Sequence, residues 1–260
     1  MLNPTPRYLS FENVTKRFND LPVVEPGFDL EIARGEFVVF LGPSGCGKTT
    51  LMRMVGGLET PSAGAIRLSG DVLGRPDKRR GMVFQSYSSF PWLTVERNIA
   101  FGMRYRGELS KAEKAERTQH YMKLVGLSDF AQSYPSRISG GMRQRVAIAR
   151  TLAAGSEVLL MDEPFGALDA QRREQLQVEM RRIQNSDKKT IVFVTHDVEE
   201  AIFLADRVIV FSPRPARIMA DIDIGARLGP DRTLELRDSA AFFQMKTELL
   251  HQVRASMNEG

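Results

Sequence analysis

Two hydrophobic periods organise this chain. Phe28, Leu30 and Ile32 alternate with Asp29 and Glu31, the period of two that gives a strand one buried face. Residues 8–40 read as β-rich throughout, with a first strand ending at Lys16-Arg17-Phe18 and a turn at Arg34-Gly35. Strands are also expected over 62–70 and 81–85, both flanked by turn residues. Unbroken apolar runs over 37–41, 158–161, 191–194 and 208–211 predict buried strands, the last leading into a Pro-rich turn that reaches Ile218. From Thr94 to about Arg137 the period becomes helical: Val95, Ile99 and Met103 are spaced by four. Ser110 and Glu113 form a capping box for a second helix, which Gly126 ends. Val146, Ala149 and Leu152 mark a helix after Ser139, and a charged helix follows Asp169 through Asn185.

Composition bounds this pattern. A chain of 260 residues, 42% apolar and 26% charged, can bury a full α/β core with room for a smaller inserted or appended part. None of its apolar runs approaches the roughly 18 residues that cross a bilayer. The opening Met-Leu-Asn-Pro-Thr-Pro-Arg lacks the apolar core of a signal peptide, so an intracellular protein is expected. The single cysteine, Cys46, excludes an internal disulfide and reads as a small, tolerant position rather than a nucleophile. A net charge of +4 with scattered basic residues gives no reason to expect nucleic acid as a partner.

Candidate chemistry sits where strands stop. Directly after the run 37–41 comes Gly42-Pro43-Ser44-Gly45-Cys46-Gly47-Lys48-Thr49-Thr50, a phosphate-binding loop. Its glycines let the backbone curl until N–H groups converge on one concavity, and the following helix adds the positive end of its dipole. Lys48 would reach the β- and γ-phosphates, and the Thr49 hydroxyl would ligate Mg2+. The run 158–161 ends in Asp162 and Glu163, adjacent carboxylates expected to point in different directions. Asp162 can hold the Mg2+ shell, while Glu163 can polarise water as general base. Gln85 stands at a strand end, where its amide can contact Mg2+ or the attacking water, or serve as ordinary surface polarity. His196 lies beyond the carboxyl end of a strand, where α/β sheets place ligands; it suits a γ-phosphate contact or a helix start. Ser139-Gly140-Gly141 leaves a helix N-terminus open to an anion, or is only a turn. Phe18 suits an adenine ring or the core. Between Gln85 and Thr94 three aromatics, among them Trp92, lie without periodicity, as in a loop made for contact.

In this order the motifs resemble those of the ATP-binding cassette ATPases, from about Tyr8 to about Arg217. Residues 42–50 match the Walker A motif, Gln85 the Q-loop, 138–142 the family signature and 158–162 Walker B. Glu163 matches the catalytic glutamate, 167–169 the D-loop and His196 the switch histidine. The resemblance implies an α/β fold: a P-loop NTPase (RecA-like) core with an N-terminal antiparallel β-subdomain and an inserted α-helical subdomain. Within a single cassette it gives the core about 1–90 and 142–225, the helical subdomain about 91–141, and a short C-terminal helical extension about 226–260. The cofactors implied are ATP and Mg2+, with Thr49, Gln85 and Asp162 as metal ligands and Glu163, His196, Lys48 and Gln85 as catalytic residues. Phe18 becomes the adenine-stacking residue, and Ser139, Gly140, Gly141 and Asp169 join the phosphate loop in holding nucleotide. The signature departs from the usual Leu-Ser-Gly-Gly-Gln at Ile138, which keeps an apolar plug, and at Met142, which loses an amide.

The same resemblance implies partners. Two cassettes are expected to face head to tail, each ATP held by Walker A of one and Ser139–Gly141 of the other. A homodimer or paired cassette would then sit peripherally on the cytoplasmic face of the inner membrane, against separate permease subunits and, through them, a solute-binding protein. Aromatics around 84–99 look like the importer form of the Q-loop region, and the turn at 208–218 is similar to the nitrate, sulfonate and taurine branch of bacterial importers. Two other classes fit less well. Cassette proteins acting on ribosomes or DNA usually carry tandem cassettes or a long coiled-coil insert, and an ATP-gated scaffold would typically lack Glu163 or His196.

Overall fold

The computed structural model describes residues 7–85 and 89–258. In chain order its elements are β1 (Arg7–Phe18), β2 (Leu21–Ala33), β3 (Phe37–Leu41), α1 (Lys48–Val55), β4 (Ala63–Leu68), β5 (Asp71–Val72), β6 (Arg80–Val83), α2 (Val95–Phe101), α3 (Lys111–Leu124), α4 (Gly140–Ala154), β7 (Val158–Asp162), α5 (Ala170–Asp187), β8 (Thr190–Thr195), α6 (Val198–Leu204), β9 (Arg207–Phe211), β10 (Ile218–Asp223), α7 (Gly225–Leu228) and α8 (Ala240–Asn258). Two compact units divide the chain: one holds the residues up to Asp77 and from Met180 onward, the other Lys78–Glu179. Among the described residues no helix is long and apolar enough to cross a membrane.

In the first unit β3 lies between β8 and β9, all parallel, with β10 antiparallel on β9. Every residue of β3 and β8 is buried, which is why both read as unbroken apolar runs. Leu41 pairs with Thr195 on one side and Val210 on the other. The three strands therefore stop at one edge, where the phosphate loop, His196 and the turn after Phe211 all begin. An antiparallel sheet of order β2-β1-β4-β5 completes this unit. Its β2 buries Phe28, Leu30 and Ile32 and exposes Asp29 and Glu31, as the alternation predicts.

A chain of rings ties the two sheets together. Phe11 meets Phe28 edge-on at 5.6 Å, Phe28 stacks on Phe211 at 6.0 Å, and Phe211 meets Phe40 at 5.1 Å. Burying each such ring contributes about 1.5–3 kcal/mol, so this seam is a large part of what holds the loop-bearing edge in place. The strand β10 has no counterpart in the sequence reading, which carries the chain past Phe211 only as a turn. It carries no long apolar run, and Ile222 is its one buried residue. Asp221 fixes the pairing by accepting both Arg207 Nε and Nη2, at 2.6 and 2.7 Å.

In the second unit β6 runs parallel to β7, from Arg80 opposite Val158 to Val83 opposite Met161. The capping box forms as read: Glu113 N donates to Ser110 Oγ at 3.2 Å and Ser110 N to Glu113 Oε2 at 2.7 Å. Gly126, in the left-handed region at φ 65°, follows the end of α3. The helix α2 is shorter than the spacing of its apolar residues suggests: it stops at Phe101, and Met103 is buried from the turn beyond.

Candidate active site

The phosphate loop leaves β3 at Leu41 and turns into α1. Gly45 and Gly47 have φ of 75° and 119°, a region side-chain-bearing residues rarely enter. A Cβ on Gly47 would lie 2.7 Å from the Val23 carbonyl oxygen, and one on Gly42 3.0 Å from that of Phe211. Gly47 caps α1 without a side chain, and no acidic residue stands in the first turn. The first-turn amides find no acceptor within the helix, so a cradle of N–H groups and a positive dipole end fits a phosphate. The Lys48 ammonium is buried and folded along this loop, donating to the carbonyls of Gly42 and Pro43 at 2.8 Å each and lying 3.6 Å from Cys46 Sγ.

On the same strand edge of this unit, β8 delivers His196, which is exposed. Its neighbours hold it from both sides. Thr195 Oγ1 donates to Glu200 Oε2 at 2.8 Å, and Asp197 caps α6 by accepting from Glu199 N at 2.8 Å and Glu200 N at 3.2 Å. Phe18, at the end of β1, is 43% exposed with Lys16 Nζ 4.5 Å from its ring centre, so it is not a core residue.

The second unit carries the carboxylates. Asp162 is the buried last residue of β7, and Glu163 follows at φ 45°, a left-handed conformation that breaks the strand's alternation immediately after Asp162. Such a φ costs a residue with a side chain about 1–3 kcal/mol and is characteristic of functional positions. The Gln85 amide comes to this carboxylate: Nε2 donates to Glu163 Oε2 at 3.3 Å. Within this unit Gln85 and Asp162 offer hard oxygen donors, and among the described residues no cluster of three or more His, Cys, Asp or Glu forms a closed metal cage. A few oxygen ligands completed by phosphate and water is the pattern that suits Mg2+.

The signature is also in this unit. Ser139 caps α4, its Oγ accepting from Met142 N at 3.2 Å. Position 142 thus enters the cap through its backbone, which methionine supplies as well as glutamine. Ile138 is buried. A Cβ on Gly141 would lie 3.0 Å from the Ala167 carbonyl oxygen, so the signature glycine lets the D-loop backbone approach. Asp169 caps α5 through Arg172 N at 3.0 Å. Burial, with Arg172 nearby, holds the Arg145 guanidinium below its ordinary value, and Asp169 opposes the shift.

Two features escape the sequence reading. Asn98, fully buried, builds the loop that presents Trp92: its Oδ1 accepts from Phe90 N at 2.8 Å, and its Nδ2 donates to the carbonyls of Phe90, Leu93 and Thr94 at 3.1, 2.9 and 3.0 Å. The available signal was an asparagine three residues after Val95, on the apolar face of α2. Trp92 itself is 70% exposed, and Phe90 packs against it and Phe101. Ser86, Tyr87 and Ser88 of this aromatic segment lie outside the described residues. The second feature is Arg214, whose Nε donates to the Gly45 carbonyl at 3.1 Å.

Comparison with known proteins shows the family and the fold. The family model described as ABC transporter matches residues 26–166. The nitrate import ATP-binding protein NrtD of Synechocystis sp. is 44% identical over 89% of this chain and 88% of its own length. The aliphatic sulfonates import ATP-binding protein SsuB of Bacillus thuringiensis subsp. konkukian is 39% identical over 96% and 94%, and the taurine import ATP-binding protein TauB of Jannaschia sp. 41% over 94% and 93%. Among solved structures, the dimeric post-hydrolysis state of the ATP-binding cassette MJ0796 bound to ADP and Pi superposes with a TM-score of 0.75, at 31% identity, covering 83% of this chain and 98% of that one. The fold is that of the P-loop cassette ATPases. By its motifs, its fold and these relatives, the chain belongs to the ABC transporter family and is one of its ATP-hydrolysing cassettes.

Proposed function

We propose that this cassette powers an importer of the nitrate, sulfonate and taurine type, working as a head-to-tail pair on the cytoplasmic face of the inner membrane. Each ATP would be held by Gly42, Pro43, Ser44, Gly45, Cys46, Gly47, Lys48, Thr49 and Thr50 of one copy and by Ser139, Gly140 and Gly141 of the other, with Phe18 against adenine and Asp169 beside the site. The single observation that carries nucleotide binding is the glycine cradle at the uncapped start of α1, with Lys48 lying in it. Phosphate oxygens are stronger acceptors than the two carbonyls Lys48 now engages, so the ammonium exchanges them for the β- and γ-phosphates.

Thr49, Gln85 and Asp162 would hold Mg2+, which when bound neutralises charge on the phosphate oxygens. Glu163 takes the proton of the attacking water, Gln85 orients that carboxylate, and His196 contacts the γ-phosphate. Lys48 and the loop amides stabilise charge in the transition state and supply most of the rate. The helical segment 91–141 acts as the subdomain that moves the signature, and the exposed Trp92 loop meets separate permease subunits, which in turn receive a solute-binding protein. The import names of the relatives support small anions of this kind as cargo.

Mixing two inactive variants tests the composite site. Lys48→Ala and Ser139→Phe should each abolish hydrolysis alone. Their mixed dimer keeps one intact site, from Lys48 of one copy and Ser139 of the other, and should recover activity. No recovery, with mixed dimers demonstrated, would sink the trans arrangement.

A further inference from the structure

The turn between β9 and β10 underlies the phosphate loop along its length. Where a Gly42 Cβ would stand, the Phe211 carbonyl is 3.0 Å away; where a Gly47 Cβ would stand, the Ala216 Cβ is 3.0 Å away; and beside Gly45 lies Arg214 Nη2, 3.5 Å from the corresponding point. This turn is itself rigidly built. Ser212 Oγ donates to the Pro215 carbonyl at 2.9 Å and accepts from Arg217 N at 3.1 Å. Ala216 N donates to the Val23 carbonyl at 2.8 Å, and its own carbonyl accepts from Glu25 N at 3.2 Å, tying the turn to β2.

Arg214 is the one charged side chain this turn lays on the loop's crest, through the 3.1 Å bond from Nε to the Gly45 carbonyl. A trans peptide sets its C=O and N–H on opposite sides, so fixing the Gly45 carbonyl towards Arg214 fixes the Cys46 N–H away from it. Gly45, at φ 75°, has little intrinsic preference that would hold this peptide otherwise. A guanidinium donor is charge-assisted and planar, which makes it a firmer clamp than a neutral amide.

We propose that Arg214 is a positioning residue for nucleotide: it holds the Gly45–Cys46 peptide with its N–H towards the bound phosphates, so that the cradle is preformed before ATP arrives. It touches neither the γ-phosphate nor the attacking water, so it governs affinity and not chemistry. This inference rests on the reading that residues 42–50 hold the phosphates.

The test is ATP binding and steady-state hydrolysis by the full chain with Arg214→Ala, Arg214→Lys and, as control, Lys48→Ala. Arg214→Ala should raise the Kd and KM for ATP about three- to tenfold, the range expected for losing one solvent-exposed hydrogen bond, and leave kcat within twofold. Arg214→Lys should recover at least half of the loss on a logarithmic scale, with unchanged thermal midpoints in both variants. Unaltered Kd in Arg214→Ala, or a loss of kcat at unchanged KM, would overturn the proposal. So would a binding deficit that vanishes at about 0.5 M salt, where diffuse charge is screened within a few Å but a direct hydrogen bond persists. Should Lys48→Ala bind ATP normally, the site reading itself fails; normal loss there with intact binding in Arg214→Ala defeats only the present inference.

Discussion

Gln85 and Glu163, separated by 78 residues in sequence, meet side chain to side chain at 3.3 Å. The amide donates to the carboxylate, so the glutamine can fix the orientation of the group proposed as base. Gln85→Glu replaces that donor with a second carboxylate. Like charges at this distance raise the pKa of the pair, and a base must be deprotonated to act. The acid limb of the ATPase pH profile should therefore move to higher pH, with the rate at pH 7 reduced. Superimposable profiles for the variant and the parent would remove Glu163 from the role of base or Gln85 from its side.

Gly47→Ala places a Cβ 2.7 Å from the Val23 carbonyl oxygen at a φ of 119°. Backbone lies on the far side of that contact, so no side-chain rotation relieves it. Denaturant melts should show a loss of about 2–4 kcal/mol together with loss of ATP binding. A stable variant that binds ATP would mean that the loop has a second conformation of similar energy.

Much of this architecture is legible because its determinants are contiguous. The strand β3 and its loop occupy residues 37–50, so burial, turn and cradle are all written in one stretch. The capping box of α3 needs only Ser110 and Glu113, three apart. Features fixed by distant partners leave no such trace. Arg214 reaches Gly45 across 169 residues, and β10, a half-exposed edge strand, is held on β9 in part by the pairing of Arg207 with Asp221. Gln85 could be named as a site residue from its position, but its contact with Glu163 depends on β6 running beside β7.

Asn98 should matter to the shape of the Trp92 loop more than to hydrolysis. Its amide serves four backbone groups; Asn98→Ala would take this partner from Phe90 N and the Leu93 carbonyl, while the Phe90 and Thr94 carbonyls keep their bonds from Leu93 N and residue 98 N. A stability loss of about 2–4 kcal/mol is expected, with basal ATPase per folded molecule retained. Loss of catalysis in a fully folded variant would tie this loop to the chemistry directly.

Cys46 is buried and 3.6 Å from Lys48 Nζ. A thiol reagent should label the native protein slowly, and the adduct should block ATP binding by filling the loop; prior ATP should protect the thiol. Intact nucleotide binding after complete labelling would show that the space around Cys46 is not that of the phosphates.

The most direct test of the central claim is Glu163→Gln, measured at once for hydrolysis and for association. The substitution preserves shape at a residue whose φ of 45° is already set by the fold, and it removes only the capacity to take a proton. Turnover should fall by about 10²–10⁴-fold, the range of a lost general base, while ATP converts the protein to a long-lived dimer that ADP does not support. Hydrolysis at the parental rate, or a variant that stays monomeric in ATP, would contradict it.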